Sequence, residues 1–245
     1  MPLWSLRAVQ KWYRAVGTTA CAALAWTIRV TLPPSCWYRA AFQLSRAMLP
    51  LFRPRRNWAW NGALSQAVFV NRVLSLLTRT GRPFPVPWRA EGLDLVRAAA
   101  ACPRGLILCS AHLLPIKVAC LALMDSGIPV DAAITDNPSV VDSLAVWGRI
   151  DRMPAIQAGR NVLLRTRSVL KQAVAVLLLA DASPGAPLQP NIFRLAGRLQ
   201  SRVVLFSAEL RRDGIVAVRF FEVSTATPSF QMAALQAEMD RIRRG

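Results

Sequence analysis

The stretch Gly105-Leu-Ile-Leu-Cys-Ser110, followed by Ala111 and His112, is the clearest indication of how this chain folds. It is an uncharged apolar run that opens on a glycine, and such a run is typical of a β-strand buried on both faces. The segment that follows, at about residues 114–126, has the pattern of a helix and carries Pro115 in its first turn, where proline is tolerated. Strands buried on both faces belong to parallel sheets that are covered by helices.

Strand and helix patterns alternate on both sides of this stretch. Strands are predicted at Gly105–Ser110, Pro129–Thr135, Val174–Ala180, Arg202–Ala208 and Ile215–Val223. Helices are predicted at about Trp37–Leu49, 59–79, Leu93–Ala101, 114–126, Ser139–Ile150, Asn161–Ala173, Asn191–Leu199 and 229–243. The alternation predicts an α/β fold with a mainly parallel central sheet covered by helices, and the Asp213-Gly214 turn predicts a hairpin that gives the sheet an antiparallel edge.

Composition excludes several classes of protein. The chain has 245 residues, 53% of them hydrophobic, and a mean hydropathy of +0.31, which excludes a disordered protein. No run of 18 or more uncharged apolar residues occurs, which excludes a polytopic membrane protein. A single His and five Cys without a CxxC pair exclude a His-rich zinc site and disfavour a disulfide scaffold. We therefore expect neither a metal nor a cofactor.

The charge of the chain is strongly asymmetric. Lys and Arg total 31 against 13 Asp and Glu, a formal net charge of +18. Residues 1–90 hold 13 of the basic residues and no acid, and seven of the eight Trp lie within the first 88 residues. Trp favours the membrane–water interface, and Arg is attracted to anionic headgroups. We therefore interpret residues 1–50 as a basic, Trp-rich, membrane-facing helical segment and residues 51–245 as the α/β domain.

Within that segment, residues 15–28 form one apolar run flanked by Lys11, Arg14 and Arg29. Fourteen residues are short for a span, which needs about 20. We interpret the run as an interfacial or shallowly inserted helix, with a single-span anchor and a buried core helix as the alternatives. A cleaved signal peptide is not favoured, because no small-residue cleavage site with a polar mature start follows.

Nucleic acid is the other partner that a basic chain suggests. However, the sequence has no Cys/His finger, no RNP-type aromatic signature and no GXXG loop. Its charges are also mixed into strongly apolar sequence such as Ala40-Ala41-Phe42-Gln43-Leu44, which favours a lipid surface. Nucleic-acid binding is kept as a second alternative function.

His112, the one histidine of the chain, follows the first predicted strand and precedes a helix. Sites in open α/β sheets gather at the carboxyl ends of strands, so His112 is a candidate general base. Cys109 lies three residues before it, which also allows a Cys–His nucleophile. A cysteine inside an apolar strand is usually an inert core residue, which disfavours that alternative.

An ordered set of segments resembles the lysophospholipid acyltransferase superfamily, and most closely its bacterial lipid A (lauroyl/myristoyl) acyltransferase branch. The resemblance extends over roughly residues 33–243. The segments that carry it are Trp88–Leu95, Arg104–Leu108 with the turn at His112, Thr135-Asp136-Asn137-Pro138 with Asp142 and Arg149, Leu177–Asp181, and residues 190–206.

The resemblance implies transfer of an acyl chain from acyl carrier protein or acyl-CoA to a lipid or glycolipid hydroxyl. The protein would then be an acyltransferase of lipid biosynthesis at the cytoplasmic face of the bacterial inner membrane, held peripherally or by a single N-terminal anchor. In that family a His deprotonates the acceptor hydroxyl, and an Asp or Glu five positions later orients the imidazole. His112 corresponds to that base.

The family pattern is broken at the orienting acid, because the fifth residue after His112 is Lys117. A lysine cannot accept a hydrogen bond from an imidazole N–H. Ala182 also stands where the family usually has Gln after Asp181. Asp181 or Asp136 could take over the orienting role, His112 could act alone, or the domain could be inactive and bind lipid or acyl carrier protein. Asn137, Arg149 and Arg160 are the candidate substrate-binding residues, since Arg suits phosphate oxygens.

Overall fold

The computed structural model describes most of the chain. The described residues are 19–48, 70, 72–74, 76–77, 86–101, 103–111, 116–128, 130, 132–135, 155–157, 161–172, 175–181, 187–223 and 227–244. The predicted helix at Ser139–Ile150 and the boundary between residues 50 and 51 lie outside these residues.

The described residues form seven strands and eight helices. The strands are β1 (Trp88–Glu91), β2 (Leu106–Ser110), β3 (Ala132–Thr135), β4 (Ala155–Gln157), β5 (Ala175–Leu179), β6 (Arg202–Leu210) and β7 (Val216–Phe221). The helices are α1 (described over 19–31), α2 (Pro34–Met48), α3 (helical residues within 70–77), α4 (Leu93–Ala100), α5 (Ile116–Asp125), α6 (Val162–Leu170), α7 (Asn191–Leu199) and α8 (Pro228–Arg244). The α/β prediction is confirmed, and α7 begins and ends at its predicted residues.

The strands form one sheet in the order β1-β7-β6-β2-β5-β3-β4. Strands β2 to β6 run in the same direction, because β2 pairs in parallel with β5 and β6, and β3 with β4 and β5. β7 is antiparallel to β6, as the hairpin prediction requires. β7 is not the outermost strand, because β1 pairs in parallel with its outer side. β1 and β7 both run antiparallel to β2–β6, so this edge of the sheet is antiparallel, as predicted.

Two strands were not predicted, and both lie at the ends of the sheet. β1 has the sequence Trp-Arg-Ala-Glu with alternate residues exposed, so it lacks an apolar run. β4 has only three residues, Ala-Ile-Gln. Edge strands are commonly short and charged, which blocks pairing with another chain and also hides them from hydrophobic periodicity.

The sheet lies between two layers of helices, each closing its own hydrophobic core. Alternate residues of β2 separate these cores: Leu106 and Leu108 face the layer that contains α1 to α5, and Ile107 and Cys109 face the layer of α6, α7 and α8. All five residues of β2 are buried. This explains its continuous apolar sequence, because neither face of the strand meets water.

Gly105 sets the start of β2. It has φ +76°, a left-handed conformation that glycine adopts at little cost. A Cβ there would lie 2.6 Å from the carbonyl oxygen of Leu170. The end of α6 therefore packs directly against the backbone at the start of β2, and no larger residue fits.

The two N-terminal helices pack on this domain. α1 buries Cys21, Ala25 and Ile28 in the same core as the sheet, while its other side exposes Trp26 and Val30. α2 buries Trp37, Tyr38, Ala41 and Phe42 there. The interfacial and core-helix interpretations each match one side of α1, and membrane contact stays a prediction. Among the described helices, none is both long and apolar enough to cross a bilayer.

Candidate functional site at the carboxyl edge of the sheet

Five strands place their carboxyl ends along one edge of the sheet, because β2 to β6 run in parallel. At its centre β2 and β5 are neighbours, with Ser110 opposite Leu179. The pairing continues one residue further, where the Ala180 N–H donates to the Ser110 carbonyl at 2.7 Å. Ligands in open α/β sheets bind beyond such strand ends, so this edge is the candidate site.

Asp181 lies at the end of β5 and is the one predicted site residue that the structure describes. Only 3% of its surface is exposed. Its backbone forms an isolated antiparallel bridge with Leu188, and the Gln189 N–H donates to the Ala180 carbonyl at 2.6 Å. The contacts with Leu188 and Gln189 thus fix the backbone position of Asp181. Burying a carboxylate is costly, which makes one at a strand end a candidate for chemistry.

The charge of Asp181 reaches the neighbouring strand. Burial raises the pKa of the Cys109 thiol well above its ordinary value, and the Asp181 carboxylate raises that pKa further. Cys109 is fully buried, in the core that faces α6 to α8. A nucleophilic cysteine must be a thiolate, so these surroundings count against the Cys–His alternative.

The other predicted site residues, His112, Asp136, Asn137, Arg149 and Arg160, lie outside the described residues. Three of the candidates nevertheless follow closely, in the sequence, strands whose ends the structure describes. His112 is the second residue after β2, Asp181 the second after β5, and Asp136 the first after β3. These strands are adjacent in the sheet, in the order β2-β5-β3, and end at the same edge.

Lys117, the residue that breaks the family pattern, belongs to the first turn of α5. That turn contains no acidic residue. A carboxylate that orients an imidazole near β2 must therefore come from an element other than the start of α5. The sheet supplies Asp181 from β5 on one side of β2, and Glu209 of β6 on the other side is paired with Arg241.

A second buried carboxylate, which sequence reasoning missed, lies where α8 packs on the sheet. Glu238 is 6% exposed, and its Oε1 accepts a hydrogen bond from the Ser207 hydroxyl at 2.8 Å. Arg241 donates to both carboxylate oxygens, from Nε at 2.9 Å and Nη2 at 3.0 Å, and Arg219 approaches at 3.4 Å. Arg241 also pairs with Glu209 at 3.1 Å.

The electrostatics of Glu238 follow from these contacts. Burial raises its pKa, but hydrogen bonds from Arg241 and Ser207 and the charges of Arg241 and Arg219 outweigh burial, so the pKa is lowered. The partners lie on β6, β7 and α8. No local sequence signal could have brought them together, because the contacts depend on how the strands pair. The arrangement fixes α8 on the sheet and leaves no free carboxylate oxygen for chemistry.

Among the described residues, no group of three or more His, Cys, Asp or Glu side chains is placed to hold a metal ion. Comparison of the chain with models of known protein families and with curated proteins finds no match.

Proposed function

We propose that this protein is an acyltransferase that moves an acyl chain from acyl carrier protein or acyl-CoA to a hydroxyl of a lipid or glycolipid. His112 is the general base. The reaction takes place at the cytoplasmic face of the bacterial inner membrane, and the protein is held there peripherally or by a single N-terminal anchor.

The observation that carries the proposal is the relation between β2 and β5. Ser110 and Leu179 are paired in parallel, and two residues beyond this pair the chain reaches His112 on one side and the buried Asp181 on the other. Parallel neighbours advance by about 3.3 Å per residue, so equal steps beyond a paired position keep two chains close. We therefore assign Asp181 as the carboxylate that orients the imidazole, in place of the acid that Lys117 replaces. Asp136, which follows β3, is the alternative.

The proposed chemistry needs one base and one orienting acid. The His112 imidazole accepts the proton of the acceptor hydroxyl while the hydroxyl oxygen attacks the carbonyl carbon of the acyl thioester. The C–S bond then breaks, and the imidazolium returns the proton to the departing thiolate. A carboxylate bonded to the other ring nitrogen fixes the tautomer and stabilises the imidazolium. The products are an ester and the free thiol of the carrier.

The remaining site residues take binding roles in this proposal. Arg149 and Arg160 hold phosphate oxygens of the donor or acceptor, and Asn137 fixes the acceptor beside the base. Guanidinium groups suit this task because their N–H groups form a fork that matches two phosphate oxygens. Residues 1–90, which hold 13 basic residues and no acid, serve both an acidic carrier protein and anionic lipid.

The experiment is acyl transfer in membranes with a labelled acyl-carrier donor and a lipid extract as the acceptor. His112→Ala should lower transfer by about 10⁴-fold or more, as loss of the histidine does in other His-activated acyl-transfer sites. Cys109→Ala should retain transfer, because the buried thiol takes no part. Normal transfer by folded His112→Ala protein would overturn the assignment, and loss in Cys109→Ala alone would favour the nucleophile alternative.

A second candidate function is supported by the first turn of α5, which carries Lys117 and no acid. It is a catalytically inactive acyltransferase fold that binds lipid or acyl carrier protein. Under this alternative the wild type is silent in the transfer experiment, and Lys117→Glu, which restores the family's acid, gains activity. If the wild type transfers label, the alternative is excluded.

A further inference from the structure

The first turn of α6 exposes leucines where a surface helix normally presents polar residues. Leu163 is 41% exposed and Leu164 is 64% exposed. The side of the helix that faces the domain instead buries Thr166 and Leu170. The residues at helical spacing from Leu164 are Arg167, Ser168 and Lys171, so Leu164 is an apolar residue on an otherwise polar face.

The exposed leucines are surrounded by positive charge. Arg165, Arg167 and Lys171 are exposed on the same helix, and none of them pairs with a carboxylate of the described residues. Residues 152–208 hold eight basic residues and a single acid, the buried Asp181. Exposed Leu followed by Arg on one helix is the pattern of a helix that lies at an anionic lipid surface.

Connectivity places this turn at the carboxyl edge of the sheet. β4 runs parallel to β3, and α6 begins five residues after β4 ends at Gln157. The first turn of α6 therefore starts near the carboxyl end of β4. It lies on the helical layer that also contains α7 and α8.

A second exposed apolar group lies near the same edge, on the other helical layer. Trp26, Val30 and Leu32 are 63%, 56% and 37% exposed around the joint between α1 and α2. The Leu32 carbonyl accepts a hydrogen bond from Trp37 Nε1 at 3.0 Å. The next residue, Tyr38, donates its hydroxyl hydrogen to the carbonyl of Gly214 at 2.6 Å. Gly214 is in the turn that follows the carboxyl end of β6.

The sixth exposed large hydrophobic residue of the described part, Phe230, lies far from this edge. It is 59% exposed in the first turn of α8. Arg241, near the other end of α8, contacts Glu209 at the carboxyl end of β6. Arg241 comes eleven positions after Phe230 in the helix, which is about 16 Å along the axis. Phe230 is thus an apolar reference point toward the opposite edge.

We propose that the first turn of α6 is a membrane contact, and that it acts together with the α1–α2 joint to seat the carboxyl edge of the sheet on an anionic lipid surface. A flat surface can touch both groups at once because they flank one edge from opposite layers. The inference deepens the proposed function and rests on it for placing the lipid acceptor in that membrane. This contact would bring two strand ends to the lipid headgroups: the end of β2, which precedes His112, and the end of β5, which precedes Asp181.

The experiment compares full-length variants for flotation with phosphatidylcholine vesicles, with and without phosphatidylglycerol. Leu163→Glu/Leu164→Glu should lower the partition onto anionic vesicles by about tenfold or more, because two apolar anchors are replaced by charges that anionic lipid repels. The control Phe230→Glu replaces an apolar residue that is about as exposed as Leu164 and should change the partition less than about twofold. An equal effect of both changes, or no effect of either, would overturn the proposal.

A second measurement does not depend on the double variant. A polarity-sensitive fluorophore is attached at Leu164→Cys or Phe230→Cys, in a chain that also carries Cys36→Ser and Cys102→Ser. Anionic vesicles should shift the emission to the blue at position 164 and leave it unchanged at position 230. An unshifted spectrum at 164 in protein that floats with the vesicles would overturn the α6 contact.

Acyl transfer in detergent micelles separates this inference from the proposed function. Transfer by the wild type in micelles, with unchanged vesicle partition of Leu163→Glu/Leu164→Glu, would overturn the α6 contact and leave the acyltransferase standing. A wild type that is silent in micelles, with the predicted loss of partition, would support the contact and count against the enzyme. Unchanged vesicle partition with a raised KM for acyl carrier protein would overturn the lipid assignment in favour of an acidic protein.

Discussion

The two buried carboxylates, Asp181 and Glu238, lie in regions built on different principles. Glu238 stands in the middle of a helix, where Ser207, Arg219 and Arg241 surround its two oxygens. Asp181 stands at the end of a central strand, where its charge reaches the neutral thiol of Cys109. The first region uses a charge to hold two elements together. The second places a charge at the edge where the parallel strands end.

These two regions separate a structural carboxylate from a candidate for chemistry. Both side chains are almost fully buried, so burial alone does not distinguish them. Their places in the fold do distinguish them. A carboxylate held by two guanidinium groups on the flank of a sheet has no oxygen left to orient another group, whereas one beyond a strand end lies where ligands of α/β folds bind.

Of the changes in these two regions, the one at Asp181 should have the largest effect, and that effect should fall on catalysis. Asp181→Asn should lower kcat/KM for acyl transfer by about 10³–10⁴-fold, because the amide cannot stabilise an imidazolium as the carboxylate does. The lower-pH limb of kcat/KM should also move to lower pH, since the pKa of the base falls when its anionic partner is removed. Steady-state kinetics across pH measure both. Unchanged kinetics would transfer the orienting role to Asp136.

A smaller effect is expected at Glu238, and it should fall on stability alone. Glu238→Gln should lower the free energy of unfolding by about 1–3 kcal/mol near pH 7, since it breaks a partly buried ion-pair network. The folded pKa lies below the ordinary value of 4.5, so the contribution is fully present above that value and is lost as the pH falls through the folded pKa.

Urea unfolding of the wild type and Glu238→Gln between neutral and acid pH measures this contribution. The gap between the two proteins should close as the medium becomes acid. A gap that is independent of pH would mean that hydrogen bonding rather than charge holds α8. Acyl transfer measured on the same samples should be unchanged, in contrast to Asp181→Asn.

The smallest effect is expected at Tyr38, whose hydrogen bond to Gly214 lies at the same carboxyl edge as Asp181. Burial raises the pKa of its hydroxyl, with a further contribution from Asp213, so it stays a donor at neutral pH. Tyr38→Phe removes its hydrogen bond to Gly214 and should cost about 1 kcal/mol. Thermal unfolding measures this cost. A large loss of turnover without a loss of stability would show that a residue's place at this edge determines its role in catalysis more than its hydrogen-bond partners do.

Local patterns were sufficient for most of the secondary structure and for part of the candidate site. The continuous apolar runs at β2, β5 and β6 predicted strands because both faces of each strand are buried. Asn191–Leu199 was predicted to the residue because Pro190 precedes it and its buried residues recur at helical spacing. Asp181 was predicted as a strand-end acid, and the structure places it at that end.

Other features were beyond local patterns for identifiable reasons. β1 and β4 are too short to be recognised, and β1 in addition alternates with charged residues. Both form because neighbouring strands pair with them. The contacts of Glu238 join residues up to 31 positions apart, and no periodicity reports such a distance.

The α/β class, the alternation of strands and helices and the asymmetry of charge follow from the amino-acid sequence alone, because each depends on composition or on spacing between near neighbours. The order of the strands, the pairing of β2 with β5 that brings Asp181 beside the strand before His112, and the degree to which the first turn of α6 is exposed follow from the tertiary fold. These depend on which distant segments meet. The run Val-Leu-Leu-Arg-Thr-Arg at the start of α6 favours a helix, but the elements packed against that helix determine which of its residues are exposed to water.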